Sequence, residues 1–163
     1  MLKFDMSEID FSRQLIKGKI AEIIFEQMFR ASEKFSIFHF GYEYTLPELA
    51  QFHHLSQIKA VTDNIKNAPD FVLISKDKEE VYLVEVKYRH YPKDKENLEM
   101  AQALLKRWDP SYLFVASPDG FFFEPCNTIA ANNGKIGNLY LKWATQEVQN
   151  EYIKLLREFE LGH

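Results

Sequence analysis

The sequence predicts an α/β fold in which a mixed β-sheet is flanked by helices. Three observations carry this reading. A long run with apolar residues at helical spacing opens the chain over residues 8–31. Two β-type runs, DFVLIS and EVYLVEVKYR, follow later with only the polar KDKEE between them. A second helical run, DKENLEMAQALLKRW, then precedes another β-type run, SYLFVAS.

In chain order, the first helix shows Phe11, Leu15, Ile16, Ile20, Ile23, Ile24 and Met28 at helical spacing, with Ser7 and Asp10 as a weak capping signal. KFSIFHFGYEY alternates and is aromatic, which predicts a strand. TLPELAQFHH reads as a short helix with Thr45 and Glu48 at capping-box spacing and Pro47 in the first turn. SQIKAVTDNIKNAP reads as helix then loop, ending at Pro69. After the two paired strands, the helix DKENLEMAQALLKRW sets Leu98, Ala101, Leu105 and Trp108 on one side. SYLFVAS, the turn PDG and FFFEP suggest two more strands. NNGKIGN looks like a turn feeding LYLKW, a C-terminal hairpin, before the amphipathic helix TQEVQNEYIKLLREFEL. We expect one domain over 1–163, with a core at about 8–124 and the hairpin and helix at 125–163.

Charge and cysteine content narrow the function. The formal net charge of −4 counts against a dedicated nucleic-acid binder. The stretch KYRHYPKDK nevertheless sets Lys87, Arg89, Lys93 and Lys95, with His90, against the one acid Asp94. Tyr88 and Tyr91 interleave with these cations, a pattern suited to phosphate contact and base stacking; a solvated loop is the plainer reading. No stretch is long and apolar enough for a membrane helix, and the first residues do not resemble a signal peptide. The lone Cys126 excludes an intrachain disulfide and suits the cytoplasm. Cys126 itself reads as a small buried hydrophobe, and His53-His54 as surface or boundary residues. Phe121-Phe122-Phe123 reads as core on one face, with an excess on the other that would suit a dimer interface.

The chemistry concentrates on the paired strands. Side chains alternate along a strand, so Glu85 and Lys87 share a face. Asp70 and Glu85 are equidistant from the middle of the KDKEE tip, which places them opposite each other. Two facing carboxylates repel, and burial raises the cost unless a cation neutralises them. Mg²⁺ suits such a site, because it takes one or two carboxylates and leaves positions for water and phosphate. Lys87 could then orient or deprotonate a water and offset phosphoryl charge. Glu22 falls in the helical row Phe11, Leu15, Gly18, Phe25, Phe29, pointing a carboxylate toward the sheet, and Gln102 lies between Leu98 and Leu105. The plainer alternative for Glu85 and Lys87 is a solvent-facing alternation, and for Gln102 a boundary residue.

Pro69-Asp70 followed by Glu85-Val86-Lys87 resembles the signature of the PD-(D/E)XK nuclease superfamily, and the element order resembles its α-β-β-β-α-β restriction-endonuclease-like core. GKIAEIIFEQMF resembles the first helix of Holliday-junction-resolvase-like members. The likeness spans about residues 14–116. It implies a Mg²⁺- or Mn²⁺-dependent nuclease acting on DNA, often as a homodimer. Asp70, Glu85 and the Val86 carbonyl would hold the metal, Glu22 would assist, Lys87 would act on the attacking water, and Gln102 would position Lys87 or substrate. Lys87, Arg89, His90, Lys93 and Lys95 would contact nucleic acid. A catalytically silent nucleic-acid- or protein-binding module with the same fold is the alternative.

Overall fold

In a computed structural model, which describes residues 6–40 and 68–161, helix α1 (Met6–Ala31) lies across one face of a five-stranded sheet. The strands are β1 (Phe35–His39), β2 (Phe71–Ser75), β3 (Val81–Tyr88), β4 (Tyr112–Ser117) and β5 (Gly120–Pro125), adjacent in that order. All neighbours are antiparallel except β3 and β4, which run parallel. A parallel pair needs a crossover. Helix α2 (Asp94–Leu105) supplies it. The sheet is therefore mixed, as the sequence predicts.

The β2–β3 hairpin turns where the polar tip predicts. Lys78 adopts φ 62°, its N–H donates to the Ser75 carbonyl at 2.8 Å, and the Asp77 carboxylate accepts the Glu79 N–H at 3.0 Å. Phe71 pairs with Val84 and Ile74 with Val81.

Both faces of the sheet are covered. On one, Ala21, Ile24, Phe25, Met28 and Phe29 of α1 meet Phe71, Leu73, Val84, Val86, Phe114, Phe121 and Phe123. The C-terminal helix α4 (Gln146–Leu161) adds Leu156 to this core. On the other face, Ala101 and Leu104 of α2 meet Leu113, Val115, Cys126 and Ile129. β4 is buried from both sides, which explains its unbroken apolar run.

Two expectations change. The first concerns α1, whose apolar residues do not form one buried row: Phe11, Leu15, Ile16 and Ile23 are each more than half exposed. A 26-residue helix is about 39 Å long, whereas a strand of five to eight residues spans about 17–27 Å, so Phe11 and Leu15 overhang the sheet. Ile16 and Ile23, seven residues apart, lie on the outward face beside buried Ile24. The second is the C-terminal hairpin. Residues 126–131 instead form a short helix, α3 (Cys126–Ala131), and the chain then pairs with β5 by a bridge between Phe122 and Asn138 with flanking hydrogen bonds rather than by a strand. Pro125 is set for the start of α3, and Asn133 and Gly134 at positive φ end it. At Gly134 any Cβ would meet the Asp94 carbonyl oxygen at 1.8 Å, so the close approach of this turn to α2 requires glycine. In the phenylalanine run, Phe122, half-buried, packs against the second core.

The two helices expected over 45–54 and 56–69 and the pair His53-His54 fall largely or wholly outside the described residues, as does the end of the KFSIFHFGYEY strand. Among the described residues, no helix is long and apolar enough to cross a membrane.

Candidate metal and nucleic-acid site

Asp70 stands one residue before β2, so the hairpin register extends to place it opposite Glu85. Its backbone is pinned on one side by the Phe40 N–H, which donates to the Asp70 carbonyl at 2.9 Å. Its side-chain Oδ2 accepts the Val86 N–H at 2.8 Å, and its own N–H donates to the Glu85 carboxylate. Glu85 Oε1 in turn lies 3.0 Å from Lys87 Nζ on the same face of β3. Asp70, Glu85 and Lys87 are thus brought together as the sequence predicts.

Burial and charge act against ionisation here. Asp70 is pushed up to about 7, first by burial, then by the Glu85 carboxylate and more weakly by Glu22. The Val86 N–H and the Lys87 ammonium oppose that rise. Burial also raises Glu85, against the pull of Lys87. Glu22 reaches the pair through its charge, while its side chain is paired with Lys19 at 3.3 Å. Among the described residues no three His, Cys, Asp or Glu side chains converge closely enough to cage a metal.

A hard divalent cation still suits the donor set. Two carboxylates that resist ionisation for want of positive charge are what such an ion relieves, and Mg²⁺ commonly takes only one or two of them. In a strand, a residue's N–H and C=O point to the same edge, so the Val86 carbonyl faces the side where its N–H meets Asp70. The residues fit a metal held by Asp70, Glu85 and Val86, with remaining positions for water and substrate.

Glu85 and Lys87 open into a groove of about 330 Å³ between β3 and α2, lined also by Ala68, Met100 and Leu104 and closed by Lys106 and Arg107. Gln102 does not belong to it. α2 buries Asn97, Ala101 and Leu104, which rotates Gln102 to solvent. The sequence reading missed Lys106 and Arg107, although two adjacent cations at the end of a helix that follows the lysine strand were a visible signal. The basic run divides. Lys87 faces this groove, Arg89, His90 and Lys93 line a second one, and Lys95 is exposed and lines neither.

No protein-family model matches this chain, and no curated protein matches it.

The raised Asp70 pKa has a consequence for stability. The folded form holds its proton up to about pH 7 while the unfolded form releases it near 3.8. Between those values the folded state binds more protons, so this group's contribution falls as pH rises and the penalty is complete above pH 7. Asp70→Asn keeps an acceptor for the Val86 N–H and is expected to stabilise the protein at pH 8 by on the order of 2 kcal/mol, with the gain vanishing near pH 4. Thermal unfolding at the two pH values checks this. Millimolar Mg²⁺ or Mn²⁺ should raise the midpoint of the wild type more than that of the variant; equal shifts would count against metal binding at Asp70.

Proposed function

We propose that this protein is a metal-dependent nuclease that hydrolyses phosphodiester bonds of nucleic acid, with DNA as the polymer and internal cleavage as the mode. The observation that carries the reading is the in-register Asp70–Glu85 pair, Asp70 raised by burial and the Glu85 charge and Glu85 raised by burial, with Lys87 Nζ 3.0 Å from Glu85. The resemblance to the PD-(D/E)XK signature supports the same assignment. Mg²⁺ or Mn²⁺, when bound, would supply Lewis acidity toward a phosphoryl oxygen and water.

The chain's own groups have separate tasks. Asp70, Glu85 and the Val86 carbonyl bind the cation, and Glu22 adds negative charge that strengthens its retention. Lys87 orients the attacking water and offsets charge on the phosphoryl group. Lys106 and Arg107, at the mouth of the groove, attract the backbone of the strand being cut. Gln102 is left without a positioning role by its exposure. A homodimer, which would make two cuts, and a cytoplasmic location belong to the same reading.

The test is a panel of supercoiled plasmid, single-stranded DNA, branched DNA and RNA with Mg²⁺, Mn²⁺ or EDTA. Cleavage of DNA that stops in EDTA is the expected result. Cleavage that persists in EDTA would sink the mechanism, and binding to every substrate with cutting of none would favour a silent binding module.

A further inference from the structure

The C-terminal end of β3 borders a second groove, of about 430 Å³, that the cutting site does not use. Gln14 and Lys17 of α1, Tyr88 to Tyr91 after Lys87, and Lys93 and Glu96 at the start of α2 line it. Its cations come from elements far apart in sequence. Glu96 is the acid among these residues, and it holds Arg89 Nε at 2.9 Å and Lys93 Nζ at 3.9 Å. Lys17 is tethered from outside the groove by Glu160 at 3.7 Å and sits 5.2 Å from the centre of the Tyr88 ring. Three cations and His90 thus line the groove with one acid, while the second acid, Glu160, holds Lys17 from outside it.

A second observation points to a ligand. Tyr88 is 9% exposed, and its hydroxyl is buried with no hydrogen-bond partner among the described residues. A buried donor without a partner is costly, and Tyr88 lines this groove, so a ligand oxygen bound there would offer it an acceptor. An oxyanion satisfies both the hydroxyl and the excess positive charge.

We infer that this groove binds a phosphate group of the strand whose cleavage is proposed above, next to the bond being cut. Arg89 lies two residues beyond Lys87, just past the end of β3 at Tyr88, so the second groove adjoins the first along the chain. The polymeric form of the inference rests on the nuclease reading; the phosphate site does not. The phosphate is either internal or the terminal group of a 5′-phosphorylated end, and the two share the same chemistry.

Glu96→Gln removes the acid and should tighten binding, whereas Lys17→Ala should weaken it. Fluorescence anisotropy in EDTA, where no cutting occurs, would use a labelled single strand that is 5′-phosphorylated, 5′-hydroxyl or circular. We expect an affinity gain of about three- to tenfold for Glu96→Gln and a loss of similar size for Lys17→Ala. The slope of log affinity against log salt should change by about 0.7 in opposite directions. Effects confined to the phosphorylated end identify a terminal phosphate, and equal effects on the circle identify an internal one. If Lys17→Ala lowers the melting midpoint, Glu96→Gln carries the test, because its side chain is half-buried at the surface and belongs to neither hydrophobic core. Affinities within twofold of wild type for Glu96→Gln on all three strands overturn the inference, even where cleavage proceeds. Shifts in binding with no cleavage on any substrate retain the phosphate site and overturn the nuclease.

Discussion

Lys87→Ala is expected to lower the rate of DNA cleavage by on the order of 10²- to 10⁴-fold while leaving the melting midpoint within a few degrees of wild type. Lys87 is about one-third exposed and makes its ion pair with Glu85 at the lip of a groove, so its removal opens no core cavity. Its loss removes the cation that pulls both Asp70 and Glu85 toward ionisation. Both carboxyls should then hold protons to higher pH, and the pH at which divalent cations bind should move upward. Lys87→Arg keeps the charge but spreads it over a larger planar guanidinium that does not take the compact ammonium's place beside the attacking water. It is therefore expected to restore metal binding without restoring the rate. Measured rates for Lys87→Ala within tenfold of wild type would remove Lys87 from the chemistry, and recovery of full activity by arginine would limit its part to charge.

The largest expected effect on stability lies elsewhere. Phe29→Ala should cost about 3–5 kcal/mol. Phe29 is fully buried, and its ring lies 4.5 Å from Phe25, 5.9 Å from Phe123 and 6.1 Å from Phe114, centroid to centroid. Phe35 and Trp143 complete the surround at 6.0 and 6.3 Å. One side chain of α1 thus touches residues of β1, β4 and β5 and the segment before α4, and the neighbours are too interlocked to collapse into the space left. For a chain of this length the melting midpoint should fall by about 10 °C or more. A denaturant series checks the value. A loss under about 1 kcal/mol would mean that α1 is not seated on the sheet as described. Phe11→Ala, on the overhanging part of the same helix, is expected to change stability by less than about 0.5 kcal/mol, since Phe11 is 66% exposed.

These two substitutions mark where sequence pattern ends and tertiary structure begins. The period-2 alternation and the short polar tip determined the β2–β3 hairpin and its register. Once the turn is short, antiparallel pairing leaves little freedom in which residues face each other, and a slip by one would turn the apolar set to water. Asp70 against Glu85, with Lys87 beside Glu85, was therefore readable from spacing alone. Helices offered less. Residues at i, i+3 and i+4 can be listed from the sequence, but the face that meets the sheet depends on the rotation of the whole helix and on how far the sheet extends beneath it. Hence Phe11 and Leu15 share a row with Phe25 and Phe29 yet lie in solvent, and Gln102 turns outward because Asn97, Ala101 and Leu104 turn in.

The neighbours Tyr88, Arg89 and Lys93 were visible in the chain order, but the arrival of Lys17 in the same groove was not. It joins α1 to the β3–α2 connection across some seventy positions, and only packing brings those elements side by side. Local spacing determined the carboxylate pair because one turn of backbone imposes it. Tertiary structure decided which helix faces and which distant cations stand around that pair, because helix rotation and docking are settled by burial over the whole core.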